Sequence, residues 1–194
     1  MPDVDPEWHS RGYIPHWEAG ETPQVICFRL ADSLPVALVE QLLADISQWP
    51  ENQAAIERRK RLETMLDGGR GAAYLVRPEI GTIVETALLF FDGTRYRLHA
   101  WCIMPNHVHV LLTPLHEHKL SSLVHSWKSF TAHRINQALN RTGPVWFKEY
   151  FDRKIRNEQH FEAARFYTEQ NPVKARLCRS AEDWPFSSAR HGLA

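Results

Sequence analysis

The stretch His107-Val108-His109-Val110-Leu111-Leu112 constrains this chain more than any other, because its alternation suits a strand with one chemical face and one apolar face. In an extended backbone successive side chains alternate faces at about 3.3 Å per residue, so His107 and His109 project together. Val108, Val110 and Leu112 then turn into a core. Upstream, Tyr96 to Met104 reads as a second strand, and Pro105-Asn106 is short enough to reverse the chain between the two. The expected unit is a hairpin with two histidines just past its turn, whose imidazoles can converge on one ion. A pair of histidines in a strand is more often packed or hydrogen-bonded than metal-bound, so other residues have to decide between these readings.

With 194 residues, 43% of them hydrophobic, the chain suits one well-filled domain over 1–194 rather than two. No run approaches the roughly 18 apolar residues that span a bilayer, and Met1 to Glu7 lacks the basic end and apolar stretch of a secretory signal. No membrane association and a cytoplasmic location are expected. Cys27, Cys102 and Cys178 are scattered without a CxxC spacing and read as buried free thiols. The net charge of zero hides a segregation. Residues 1 to 24 hold Asp3, Asp5, Glu7, Glu18 and Glu21 against Arg11, whereas from His118 to Arg156 the bases Lys119, Lys128, Arg134, Arg141, Lys148, Arg153, Lys154 and Arg156 face only Glu149 and Asp152. Interleaved with Trp127, Trp146, Phe147, Tyr150 and Phe151, that segment suits a phosphate backbone with bases stacked beside it. A solvated helix face has the same composition.

Along the chain, residues 1–23 read as an irregular arm pinned by Trp8, Tyr13 and Trp17. Gln24 to Leu30 alternates with apolar residues on both faces and is expected to be an internal strand. Pro35 opens a helix from Val36 to about Trp49, Glu51 to Leu66 is a second, highly charged helix, and a third runs from Pro78 to Phe91. After the hairpin, Lys119 to Asn140 is the longest helical pattern, with Leu120, Leu123, Val124, Trp127, Phe130, Ile135 and Leu139 as its stripe. A strand around Phe151 to Ile155 and a helix capped by Asn157 follow. The order is α+β: an antiparallel sheet with helices on one side. On the last helix Tyr167 and Asn171 share a face, four residues apart, and suit a nucleophile and an oxygen ligand. Packing explains such a tyrosine as readily, and an asparagine before Pro172 also suits the N-cap of a new short helix.

The run His99 to His109, the basic helix containing Lys128, the run Phe151 to Arg156, the run Tyr167 to Lys174 ending in Asn-Pro-Val-Lys, and Asp183-Trp184-Pro185-Phe186-Ser187-Ser188 together resemble the single-tyrosine HUH transposases. Within that group they are most similar to the REP-associated tyrosine transposases, over roughly Gln24 to Leu30 and Arg95 to Arg190. The resemblance implies a ferredoxin-like sheet, a divalent metal held by His107 and His109 with Asn171 as third ligand, Tyr167 as nucleophile, and hairpin-forming repeat DNA as substrate. The helical stretch of about 36–91 exceeds the minimal family fold and reads as an insertion with no assigned chemistry.

The chemistry expected is phosphodiester cleavage by the Tyr167 phenol, with Mg²⁺ or Mn²⁺ stabilising charge on the phosphate and a 5′-phosphotyrosine conserving the bond energy. No nucleotide cofactor is then required, in keeping with the lack of Walker or Rossmann glycine motifs. Single-stranded or hairpin DNA is the expected partner of a monomer or homodimer. Lys119, Lys128, Arg134, Lys148, Arg153, Lys154 and Arg156 are candidates for phosphate contacts, with Lys174 beside the site. The competing readings are a non-catalytic repeat-DNA-binding regulator that keeps the fold, and a structural zinc protein, which the absence of cysteines next to the histidines disfavours.

Overall fold

The computed structural model describes residues 8–10, 15–17, 20–69 and 71–192. Two three-residue strands, β1 (Trp8–Ser10) and β2 (Pro15–Trp17), form a small antiparallel hairpin. The main sheet has four antiparallel strands in the order β4-β5-β3-β6: β3 (Gln24–Arg29), β4 (Tyr96–Ile103), β5 (His107–Pro114) and β6 (Phe151–Lys154). As expected, β3 is internal. The expected turn also forms: Met104 N–H donates to His107 O at 2.8 Å, closing a loop of Pro105 and Asn106.

Alternation along the strands decides which face each helix covers. Ile26 and Phe28 of β3, Trp101 and Ile103 of β4, and Val108, Val110 and Leu112 of β5 join the main core under α3 (Pro78–Leu89) and α4 (Leu120–Ala138). The opposite face carries Val25, Ala100 and Leu111, which pack with Ile155 against Phe161 and Ala164 of α5 (Glu158–Lys174). The α+β class and antiparallel sheet are thus as expected, and α3 and α4 are the helices on one side. The last helix adds a layer on the other side, because the second face of the sheet also carries apolar side chains, Val25, Ala100 and Leu111.

Of the span 36–91 read as an insertion, α3 belongs to the main core. The additional element is a helical hairpin, α1 (Val36–Ile46) and α2 (Glu51–Asp67), with its own apolar cluster of Leu42, Ile46, Ala54, Leu62 and Met65. Its two ends lie side by side. Ala72 N–H donates to Asp32 O at 3.1 Å, and Gly71, at φ +81°, approaches so closely that any Cβ there would run into the carbonyl groups of Asp32 and Ser33.

The segment after α5 protects the edge strand β4. Trp184 Nε1–H donates to Ile103 O (2.9 Å), Ile103 N–H to Phe186 O (2.9 Å), and Trp101 N–H to Ser188 Oγ (3.1 Å) at the start of α6 (Ser188–His191).

Two expectations change. The arm 1–23 holds the β1–β2 hairpin, whose strands are too short to show an alternation; Tyr13 and the side chains of Trp8 and Trp17 lie outside the described residues. In α4, Phe130 is 52% exposed, and Thr131 turns inward instead, donating to Trp127 O and accepting from Trp146 Nε1. Cys27 and Cys102 are buried free thiols, as expected, and Cys178 is half-buried. Among the described residues no helix is long and apolar enough to cross a membrane.

Gly81, inside α3, carries the ring of Phe186 directly on its Cα, where a methyl group would run into the ring. Helix propensity favours alanine, but overpacking opposes it. Gly81→Ala is therefore expected to destabilise the fold by about 1–3 kcal/mol in urea denaturation.

Candidate active site

On β5 the histidines share the face turned to α5, both buried, with ring centroids 4.7 Å apart and Nε2 atoms 2.9 Å apart. Asn106 sets their protonation. Its amide is oriented by Nδ2–H donating to Leu66 O (3.0 Å), so its Oδ1 faces His107 Nδ1 at 2.7 Å and accepts the proton there. Burial, then the neighbouring His109 and Lys174, hold the His107 pKa well below its ordinary value, so the ring is neutral. With the proton on Nδ1, His107 Nε2 is a bare lone pair that accepts from His109 Nε2–H. An ion bound by both rings would take the place of that hydrogen bond.

Helix α5 starts at the expected cap, Asn157, whose side chain accepts from His160 N–H at 2.8 Å. It brings Tyr167 to the pair, edge-on, with its ring centroid 6.1 Å from that of His109. The phenol donates to Glu63 Oε2 (3.1 Å) and accepts from Lys174 Nζ (3.2 Å). Lys174 also pairs with Asp67 Oδ2 at 3.4 Å. Burial, seconded by the Glu63 charge, raises the Tyr167 pKa against the opposing pull of Lys174, which keeps the phenol protonated at neutral pH. Burial works against the Lys174 charge, yet Tyr167 and Asp67 outweigh it and its pKa is raised.

Asn171 lies one turn below Tyr167 within an unbroken helix, so Pro172 starts no new helix. Its Nδ2–H donates to Tyr167 O (2.8 Å) and, at 3.5 Å, reaches Thr168 O, the carbonyl that a residue 172 with an N–H would have satisfied. Its Oδ1 is buried without a hydrogen-bond partner. A buried acceptor left over one turn from Tyr167, on the helix that faces the histidine strand, suits a cation, and a donor set of nitrogen and amide oxygen fits Mg²⁺ or Mn²⁺ once charge is supplied nearby. Among the described residues no three His, Cys, Asp or Glu side chains stand close enough to hold an ion as they are, so a further donor has to be an amide oxygen or a carboxylate that closes in.

Glu63, Asp67 and Asn106 were not singled out by the sequence. Glu63 and Asp67 lie in a helix charged at about half of its positions, where nothing marks a carboxylate such as Glu63 that faces a tyrosine 104 residues away. Asn106 reads as a turn residue, and only Leu66 O shows its second role.

Residues 79–171, which include both histidines, Tyr167 and Asn171, match the family model described as Transposase IS200 like. The REP-associated tyrosine transposase of Escherichia coli (strain K12) is 26% identical over 100 residues, a match covering 51% of this chain and 58% of that protein. A solved structure of the REP-associated tyrosine transposase bound to a REP hairpin superposes with a TM-score of 0.58 at 19% identity, covering 96% of this chain and 87% of that one, and shows the shared fold. The resemblance drawn from the motifs is thereby borne out.

The basic candidates are dispersed. Arg153 lines a cavity of about 200 Å³ beside His109 and Tyr167, together with Glu63, His160 and Phe151. Lys174 stands at the phenol. Lys119, Arg134, Lys148 and Arg156 are exposed, and Lys154 is half-exposed on β6. Lys128 is half-buried in a different cleft, its Nζ donating to Phe147 O (2.6 Å) and Lys148 O (2.8 Å).

Burial lowers the Lys128 pKa from 10.5 to about 8, outweighing the opposing pull of Glu149. Below pH 8 the ammonium is protonated in both the folded and the unfolded chain and its contribution is constant. Between pH 8 and 10.5 the unfolded chain keeps a proton that the folded chain has released, so this group makes stability rise with pH. The stability of wild type relative to Lys128→Met is expected to increase across that window and stay flat from pH 6 to 7.5, measured by urea denaturation.

Proposed function

We propose that this protein is a metal-dependent endonuclease and strand transferase of single-stranded DNA, a transposase acting on hairpin-forming repeat DNA through a 5′-phosphotyrosine. The observation that carries the reading is the phenol of Tyr167, held between a carboxylate and an ammonium next to the buried histidine pair. A tyrosine needed only for packing does not require a proton acceptor and a cation on one oxygen. The hairpin substrate is taken from the solved relative bound to a REP hairpin.

A Mg²⁺ or Mn²⁺ ion held by His107, His109 and Asn171 would supply Lewis-acid stabilisation of the scissile phosphate. The chain's own residues handle the proton and the nucleophile. Glu63 Oε2 accepts the phenol proton as Tyr167 Oη bonds to phosphorus, and the Lys174 ammonium stabilises the developing phenolate. The bond from phosphorus to the 3′ oxygen breaks and that oxygen takes a proton from water, leaving a 3′-hydroxyl, a tyrosyl ester and a protonated Glu63. Attack by a DNA hydroxyl on that ester rejoins strands and returns the proton to Tyr167. Because Tyr167 is half-buried on a helix packed on the sheet, the phosphodiester has to enter the crevice itself, which favours an unpaired strand over a duplex.

Denaturing electrophoresis with labelled single-stranded repeat DNA and Mn²⁺ tests this reading. Wild type is expected to give a covalent adduct and Tyr167→Phe none, while the substitution costs the fold on the order of 1 kcal/mol for its lost hydrogen bonds. His107→Ala is expected to lose metal-dependent cleavage and keep DNA binding. Equal adduct from wild type and Tyr167→Phe would point to another nucleophile, and no adduct from wild type would favour the non-catalytic DNA-binding protein.

A further inference from the structure

Helix α2 ends inside the site. Asp67 is its last residue, and its two carboxylate oxygens meet different surroundings: Oδ2 pairs with Lys174, while Oδ1 is buried, lacks a hydrogen-bond partner and stands 3.9 Å from His107 Nε2. His107 has no proton to offer it. Its Nδ1–H is committed to Asn106, and its Nε2 lone pair faces His109. A buried carboxylate oxygen left without a hydrogen-bond partner is unfavourable unless a positive species reaches it.

Lys174 does not fill that role for Oδ1: its Nζ lies against Asp67 Oδ2 and the Tyr167 phenol, and Oδ1 receives no hydrogen bond. A divalent ion does. With bonds of about 2.0 to 2.2 Å an ion would reach donors up to about 4.4 Å apart, so Oδ1, at 3.9 Å from His107 Nε2, would join the donor set once the carboxylate closes in. The position of Asp67 is held by its neighbour as well, because Leu66 O receives the Asn106 amide that orients His107.

We propose that Asp67 is a carboxylate ligand of the divalent cation, joining His107, His109 and Asn171; the inference rests on the metal-dependent reading above. It gives the site the negative charge that two neutral imidazoles and an amide lack, which favours a hard ion such as Mg²⁺ or Mn²⁺. It also assigns chemistry to the α1–α2 hairpin, which lies outside the residues 79–171 matched by the family model. The additional helices become part of the ion's binding site and not only a cover.

Isothermal titration of the full chain with Mn²⁺, in the absence of DNA, tests the assignment without reference to activity. Asp67→Asn and Asp67→Ala are each expected to weaken Mn²⁺ binding by about 10-fold or more, and His107→Ala to abolish it. Lys174→Met removes the other partner of Asp67 and is expected to leave Mn²⁺ binding as tight or tighter, which separates a ligand from a mere ion-pair partner. Thermal unfolding with and without Mn²⁺ gives a second readout, with a smaller metal-induced rise in Tm for both Asp67 variants. Asp67 variants that bind Mn²⁺ as tightly as wild type, with binding lost in His107→Ala, would overturn the role of Asp67 and leave the metal site intact. A wild-type chain that binds no Mn²⁺, or a His107→Ala chain that binds it undiminished, would overturn the metal-dependent reading itself.

Discussion

A hairpin closed by two residues has no freedom of register. Because Pro105 and Asn106 are the whole of the turn between β4 and β5, His109 has to pair with Cys102, and the side chains as far as the irregularity between Leu98 and Ala100 are assigned to a face. His107, His109 and Leu111 look toward α5, while Val108, Val110 and Leu112 look toward α3 and α4. Slipping the pairing by one residue would drive two imidazoles into the main core and three aliphatic side chains toward the site. The hydrophobic free energy of the core therefore enforces the geometry of the chemistry, although the two share no side chain.

The same turn couples the site to the helical hairpin. Asn106 uses one end of its amide on Leu66 O and the other on His107, so the end of α2 and the tautomer of a buried imidazole are set by one side chain. Lys174 makes the complementary link from α5, with one ammonium shared between the phenol and Asp67. Low dielectric makes such a network exacting, since each member is oriented by the next and few can be lost without leaving a buried group unpaired.

How much of this was legible in the sequence follows from the range of each interaction. The alternation of β5, the turn, the spacing of Tyr167 and Asn171, and the Asn157 cap are local patterns, and the structure shows each of them in place. The face taken by α5 was not legible, because it depends on Ala100 and Leu111 being apolar on the far side of strands already counted toward the core. Glu63 and Asp67 were invisible for a related reason: in a helix with charges on about half of its positions, only a tertiary contact distinguishes the carboxylate that matters. The basic segment was read as one patch, yet the fold divides it, sending Arg153 toward the tyrosine and Lys128 to carbonyl groups in a separate cleft.

The close approach of Gly71 to Asp32 and Ser33 gives the body of the fold a different kind of property. The chain leaves for α1 and returns from α2 at one point, stitched there by backbone atoms, so the path from β3 to α3 is the same whatever is strung between. In topological terms the helical hairpin is a pendant loop whose closure cost is met at its base, and that cost grows only slowly with its length. A sheet with such a junction can gain, lengthen or exchange the polypeptide overhanging the face that carries the histidines while its own folding problem stays as it was.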